Sequence, residues 1–116
     1  MTSQPWPPQL DAVVAAPRHH RVLLENAHVR VLETRIAPGE IVPLHTHQWP
    51  AVYYILQAGD FIRRDERGVV TGDSRQNTPG NAGDAVWATP LGPHTLENVG
   101  ATPIHVVSVE TKLASI

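Results

Sequence analysis

The sequence predicts an all-β domain, an antiparallel jelly roll, on three observations. Eleven prolines and eight glycines are spread along 116 residues rather than clustered. They cut the chain into segments too short for helices. Between the breaks, β-branched and apolar residues alternate with polar ones at period two, the period of a strand. Roughly eight to ten such segments occur, with no convincing helix and no long repeat. Two packed antiparallel sheets are the natural way to bury them. The length suits one domain with its own core.

Residues 1–17 read as a Pro-rich lead-in and 18–116 as the barrel. Three prolines within the first eight residues exclude a central strand there. Leu10 to Ala16 can form a short helical turn, which Pro17 stops. His20–Glu25 and His28–Ile36 are strands around a tight turn at Asn26-Ala27. Ile41–His47 is extended, with Pro43 placing it at an edge or a bend. Ala51–Gln57 is the most strand-like run. Phe61–Arg64 and Val69–Thr71 flank a hairpin turn at Asp65-Glu66-Arg67-Gly68. Residues 72–82 are polar and Gly/Pro-rich, an exposed loop. Ala85–Ala88, His94–Val99 and Ile104–Thr111 complete the set, with a turn at Pro90-Leu91-Gly92-Pro93.

Composition excludes several functions. There is no cysteine, so disulfides, zinc–thiolate sites, iron–sulfur clusters and thiol nucleophiles drop out. The net charge of −2 and the absence of a basic block argue against phosphate-driven nucleic-acid binding. No apolar run approaches a membrane span, and Met1 to Pro8 lacks the pattern of a secretory signal. The expectation is a cytoplasmic protein whose partner is a small molecule. Seven histidines against a single lysine direct attention to imidazole chemistry.

His45 and His47 stand two apart, so on a strand they share a face and can converge on one ion. A third imidazole has to come from a distant segment, and His94, at the start of its own strand, is the candidate. Three neutral imidazoles on one side of an ion leave positions open for water or substrate. An H-x-H pair alone is a weak signal, and its bland reading is a solvated face.

In context the sequence resembles a cupin. Gly39, five residues, His45-Thr46-His47 and a closing Gly59 follow the first cupin motif. Gly83-Asp84, Pro90-Leu91-Gly92, His94 and Asn98 follow the second. The resemblance implies a double-stranded β-helix with His45, His47 and His94 as metal ligands. It also implies turn-forming roles for Gly39, Gly59, Gly83 and Gly92. Two departures stand out. The family's glutamate ligand falls on Val52 counting back from Gly59, or on Ala51 counting from His47, and neither binds a metal. The second motif has one residue inserted before Pro90 and one missing after Gly92. The site is therefore expected to be a three-histidine one holding a divalent transition metal: Fe, Zn, Ni, Mn or Cu. Without the carboxylate it carries the full +2, which favours anionic or enolate-forming ligands.

Around this site, Trp49, Val52, Trp87 and Gln57 are candidate pocket residues, and Tyr54 is a weak candidate proton donor because it shares a face with Val52. Gln48 is a weak candidate ligand. Arg35, Arg63 and Arg64 would hold a carboxylate if they face the pocket. His19, His20, His28 and His105 are expected outside the site, and Asn98 to support the His94 strand. Three functions compete. The resemblance implies that some such cupins bind ferrous iron and activate dioxygen, and an oxygenase acting on a small polar or anionic molecule ranks first. A non-catalytic sensing module ranks second. An isomerase or epimerase ranks last for want of a carboxylate pair. A homodimer is expected, with His20–Glu25 as the edge strand that pairs across it.

Overall fold

All strand pairing is antiparallel in the computed structural model, which describes residues 5–76 and 80–112. The nine strands are β1 (His20–Glu25), β2 (Val29–Ile36), β3 (Ile41–His47), β4 (Ala51–Gln57), β5 (Phe61–Asp65), β6 (Val70–Asp73), β7 (Ala85–Ala88), β8 (Leu91–Asn98) and β9 (Ile104–Thr111). They form a five-stranded sheet ordered β1-β2-β9-β4-β7 and a four-stranded sheet ordered β3-β8-β5-β6. The predicted jelly roll is the observed fold. A single 3-10 turn (Pro8–Leu10) and one helical turn, α1 (Ala12–Ala15), precede the strands.

Local chemistry sets the corners. Asn26 Oδ1 accepts the backbone N–H groups of His28 and Val29, closing the β1–β2 turn. Asp65 Oδ1 does the same for Arg67 and Val69 in the β5–β6 hairpin, and Gly68 there has φ +84°. Of the motif glycines, Gly39 and Gly83 adopt positive φ, whereas Gly59 and Gly92 are needed for close approach. A Cβ on Gly59 would stand 2.8 Å from the Thr102 carbonyl oxygen, and one on Gly92 3.3 Å from the Trp6 ring.

Two differences from expectation have physical causes. β6 runs on through Gly72 and Asp73, because Ile62 and Arg63 offer them partners on β5. Part of the expected 72–82 loop is therefore strand, and residues 77–79 lie outside those described. β8 begins at Leu91 rather than His94, so the expected Pro90–Pro93 turn is partly strand. β3 and β8 pair through two compensating irregularities, one between Val42 and His45 and one between His45 and His47. They coincide with Pro43 and Pro93, neither of which can donate to a ladder.

The inner sheet faces meet on a small apolar core of Ala16, Ile36, Val42 and Ile104, with Phe61, Leu96 and Val106 packed against it. Beside it lies a cavity of about 490 Å³ into which the inner faces of both sheets project.

Candidate metal centre

The irregularity at Pro43 decides which side chains enter the cavity. Val42 is buried, and strict alternation would next turn Leu44 inward. The extra residue resets the phase, so His45 and His47 follow Val42 to the same side, both buried. β8 answers with its own irregularity after Leu91, and His94 comes directly opposite His45. The ring centroids of His45 and His94 are 4.2 Å apart, those of His45 and His47 5.0 Å, and those of His47 and His94 5.7 Å.

A fourth ring joins them. His20 opens β1, pairs with the inward-facing Thr34 of β2, and is buried. Its ring lies 4.9 Å from His45 and 5.4 Å from His47. The donor atoms of His20, His45 and His47 fall within 4.8 Å of one another, so these three could hold a metal ion. His20 was expected outside the site. Its phase, shared with Val22 before an irregularity turns Leu24 to the outer face, was the available signal, but the strand could not show that this face meets the H-x-H segment.

Each ring is oriented by its Nδ1. The Nδ1–H of His45 donates to the Pro43 carbonyl at 2.7 Å, and that of His94 to the Gly92 carbonyl at 2.7 Å. Both acceptors lie in the irregular segments, where the ladder leaves carbonyls free. The Nδ1–H of His20 donates to the carbonyl of Ala16, the residue capping α1, at 3.0 Å. His47 Nδ1 bonds a carboxylate oxygen of Glu110 at 3.3 Å. A carbonyl or carboxylate only accepts, so each Nδ1 carries the proton and the Nε2 lone pair remains for an ion. Burial, aided by the neighbouring rings, lowers His20 and His94 to about 4 and His45 to about 2. These three rings are neutral at pH 7, as a metal ligand requires. The set His20, His45 and His47 therefore offers donors that could hold a metal ion.

Glu110 was missed by sequence reasoning. It pairs with Ala51, the inward position where the family's glutamate would fall, on the neighbouring strand β9. Its side chain is buried between His47 and Arg30, whose Nε donates to it at 2.6 Å. Burial favours its neutral form, but the bonds from His47 and Arg30 prevail and hold it ionised. Arg30 also makes two bonds to Asp11, at 2.8 and 3.0 Å, so a chain Asp11–Arg30–Glu110–His47 runs beneath the site. The only hint was a glutamate at an inward phase of the apolar run IHVVSVET.

The other sequence candidates divide. Trp87 borders the cavity, 59% exposed. Trp49 is not among the lining residues; its ring lies 4.9 Å from the Arg30 guanidinium carbon and 5.2 Å from Lys112 Nζ. On β4 Ala51, Tyr53 and Ile55 face inward, so Val52 and Tyr54 are exposed and absent from the lining, and Gln57, beyond the irregularity after Ile55, is exposed as well. Tyr53 lines the cavity instead, and burial, with the charge of Glu110, raises its phenol to about 12. Arg63 lines the cavity. Arg35 and Arg64 pair with Glu33 and Glu97. Among the described residues no aspartate or glutamate lines the cavity. His105 faces Glu33 across the outer surface. Asn98 is fully buried and donates to the Ile36 and Thr102 carbonyls, supporting β8.

Two antiparallel sheets enclosing an imidazole cluster define a small cupin-like domain, a double-stranded β-helix. The fold is shared with a cupin domain from Bordetella pertussis Tohama I at 22% identity, covering 81% of this chain and 92% of that one with a TM-score of 0.65. An uncharacterized conserved protein with a double-stranded β-helix domain from Klebsiella pneumoniae is 26% identical, covering 80% and 75%, TM-score 0.56. A predicted oxalate decarboxylase from Thermotoga maritima is 27% identical, covering 81% and 79%, TM-score 0.52. No protein-family model and no curated protein matches the chain.

Proposed function

We propose that the chain is a metal-dependent cupin that binds one divalent transition metal through His45, His47 and His94, with His20 completing the set. Its activity on this reading is oxygenation of a small anionic molecule. The observation that carries it is the clustering of the rings, with donor atoms of His20, His45 and His47 within 4.8 Å of one another, the His94 ring centre 4.2 Å from that of His45, and each ring anchored through Nδ1. A metal bound there would supply Lewis-acid and redox chemistry. An all-imidazole set leaves the ion's +2 charge undiminished, favouring an anionic ligand. The Thermotoga neighbour's description as a predicted oxalate decarboxylase is in keeping with a small anion. An isomerase is disfavoured because among the described residues no carboxylate pair lines the cavity. Metal analysis of untagged protein tests the site, and oxygen uptake with small acids, diketones and phenols tests the activity. About one equivalent of metal, reduced several-fold in His45→Ala and His94→Ala, is expected. Metal far below one equivalent under reducing conditions overturns the reading. A bound ligand that is never turned over favours the sensing module.

The same reading places the protein in the cytoplasm as a homodimer. No helix among the described residues is long and apolar enough to cross a membrane. β1 is an edge strand with Val22, Leu23 and Leu24 exposed. An outer row of Leu24, Val31, Val109, Val52 and Trp87 crosses the five-stranded sheet. Light scattering across a concentration series is expected to give a dimer; a monomer throughout refutes it.

A further inference from the structure

The chain has nine lysines and arginines. Arg18, Arg21, Arg30, Arg35, Arg64, Arg67, Arg75 and Lys112 each lie within 4.0 Å of a carboxylate. Among the described residues Arg63 alone does not. It lines the cavity that holds the histidine cluster, and its Nε is buried with no hydrogen-bond partner. Arg63 as a whole is half-buried, and a guanidinium partly withdrawn from water with no anion beside it is unfavourable. Burial accordingly lowers Arg63 from its ordinary value.

The surroundings hold the group open. Arg63 sits on β5 opposite Leu96 of β8, two residues from His94 on the same inward face. Its charge reaches the His94 ring and contributes to lowering that imidazole. On its other side it faces Gly72 of β6, where a Cβ would stand 3.2 Å from Nη1. Its guanidinium carbon is 5.7 Å from the Phe61 ring centre. The rest of the wall is mainly apolar, including Ile36, Ile55, Phe61, Leu96 and Val106. A planar fork of donors in such a wall matches a planar, singly charged anion. A phosphate would bring more charge into a wall with one cation.

We infer that Arg63 is the anchor for the carboxylate of a small organic acid whose apolar body packs in the cavity beside the histidine cluster. This names the ligand class of the proposed site, and so rests on reading that cavity as a ligand site.

Calorimetry on cobalt-loaded protein tests it with three probe pairs: benzoate and benzamide, 4-methylpentanoate and its amide, 3-phenylpropionate and its amide. At least one acid is expected to bind about tenfold tighter than its amide. Arg63→Met should lower the acid's affinity about tenfold or more and leave the amide's unchanged, with Arg63→Lys intermediate. Because the guanidinium has no carboxylate to lose and a Met side chain can keep the contact with Phe61, Arg63→Met should melt at or above the parent temperature. Equal acid affinity in parent and Arg63→Met, an equal loss for acid and amide, or no binding by any probe overturns the inference. A large fall in melting temperature does so too, by making Arg63 structural. Tighter binding of phenyl phosphate than benzoate overturns the carboxylate class. Cobalt stoichiometry in the same samples separates the two readings. Arg63-dependent acid selectivity without stoichiometric cobalt sinks the metal site alone, and stoichiometric cobalt without that selectivity sinks the carboxylate anchor alone.

Discussion

Arg30 and Arg63 both reach inward between the sheets, and the protein treats them in opposite ways. Arg30 is 4% exposed, is clamped by Asp11 and Glu110, and lies against Trp49. Burial disfavours its charge, but the two carboxylates overcome this and raise its pKa. Arg63 meets burial with no carboxylate at all. A guanidinium whose donors are used within the chain fixes structure. One whose donors are left open in a cavity is available to a ligand. Removing each side chain should therefore have opposite consequences. Arg30→Met leaves Asp11 buried without its ion pair and Glu110 with His47 as its remaining partner, and should lower unfolding free energy by about 3–5 kcal/mol in urea titrations. Arg63→Met should not lower it. Similar losses for the two variants would erase the distinction.

The histidine cluster extends the comparison to pH. In metal-free protein His20, His45 and His94 take up protons only well below the ordinary imidazole value. The unfolded chain binds those protons near pH 6.5, so it holds more of them than the fold throughout the interval below. Stability contributed by the neutral rings is complete above about pH 6.5 and lost as pH falls toward about 4, with His45 continuing toward about 2. Chelator-treated protein should lose on the order of a few kcal/mol between pH 7 and 4. A flat profile would mean that the rings are more open to water than their burial implies. Stoichiometric metal should raise the midpoint at pH 7, by an amount that grows with free metal concentration.

Glu110 tests whether the chain beneath the site serves structure or the ion. Glu110→Gln keeps a side-chain oxygen for the His47 Nδ1–H but removes the charge that polarises the ring and neutralises Arg30. Metal affinity should fall about 10–100-fold, with the protein still folded. An unchanged affinity with a large stability loss would assign Glu110 to Arg30 alone.

Much of this was legible in the sequence, and the limits have physical reasons. Strand positions were readable because alternation and Gly/Pro breaks are local. β4, β7 and β9 fall where the pattern puts them. His45 and His47 were readable as a pair because two residues on one strand share a face. Which face they share with Val42 was not, because Pro43 inserts an extra residue and resets the phase. The same limit explains Tyr53 and Tyr54. Alternation says that one points inward, but the choice depends on the spacer from His47 to β4, and Ala51 rather than Val52 proves to be the inward position. His20 and Glu110 depend on pairings between distant strands, which a single sequence does not record.

The smallest effect concerns an outward cluster that mirrors the buried one. Glu33 accepts from the His105 ring at 2.8 Å and from Arg21 and Arg35. The His105 hydrogen bond, then the arginines, outweigh burial and lower its carboxyl to about 2. The sign is that of a depressed acid. Its contribution to stability is present above about pH 4.5 and is lost as pH falls through about 2. Salt screens pairs that reach solvent, so Glu33→Gln should change stability far less than Arg30→Met and by less still in high salt. Carboxyl-carbon chemical shifts of Glu33 followed against pH should give a midpoint well below the usual carboxylate range. A midpoint within that range would mean that the three bases approach Glu33 without holding it, and the outer cluster would then be ordinary surface charge.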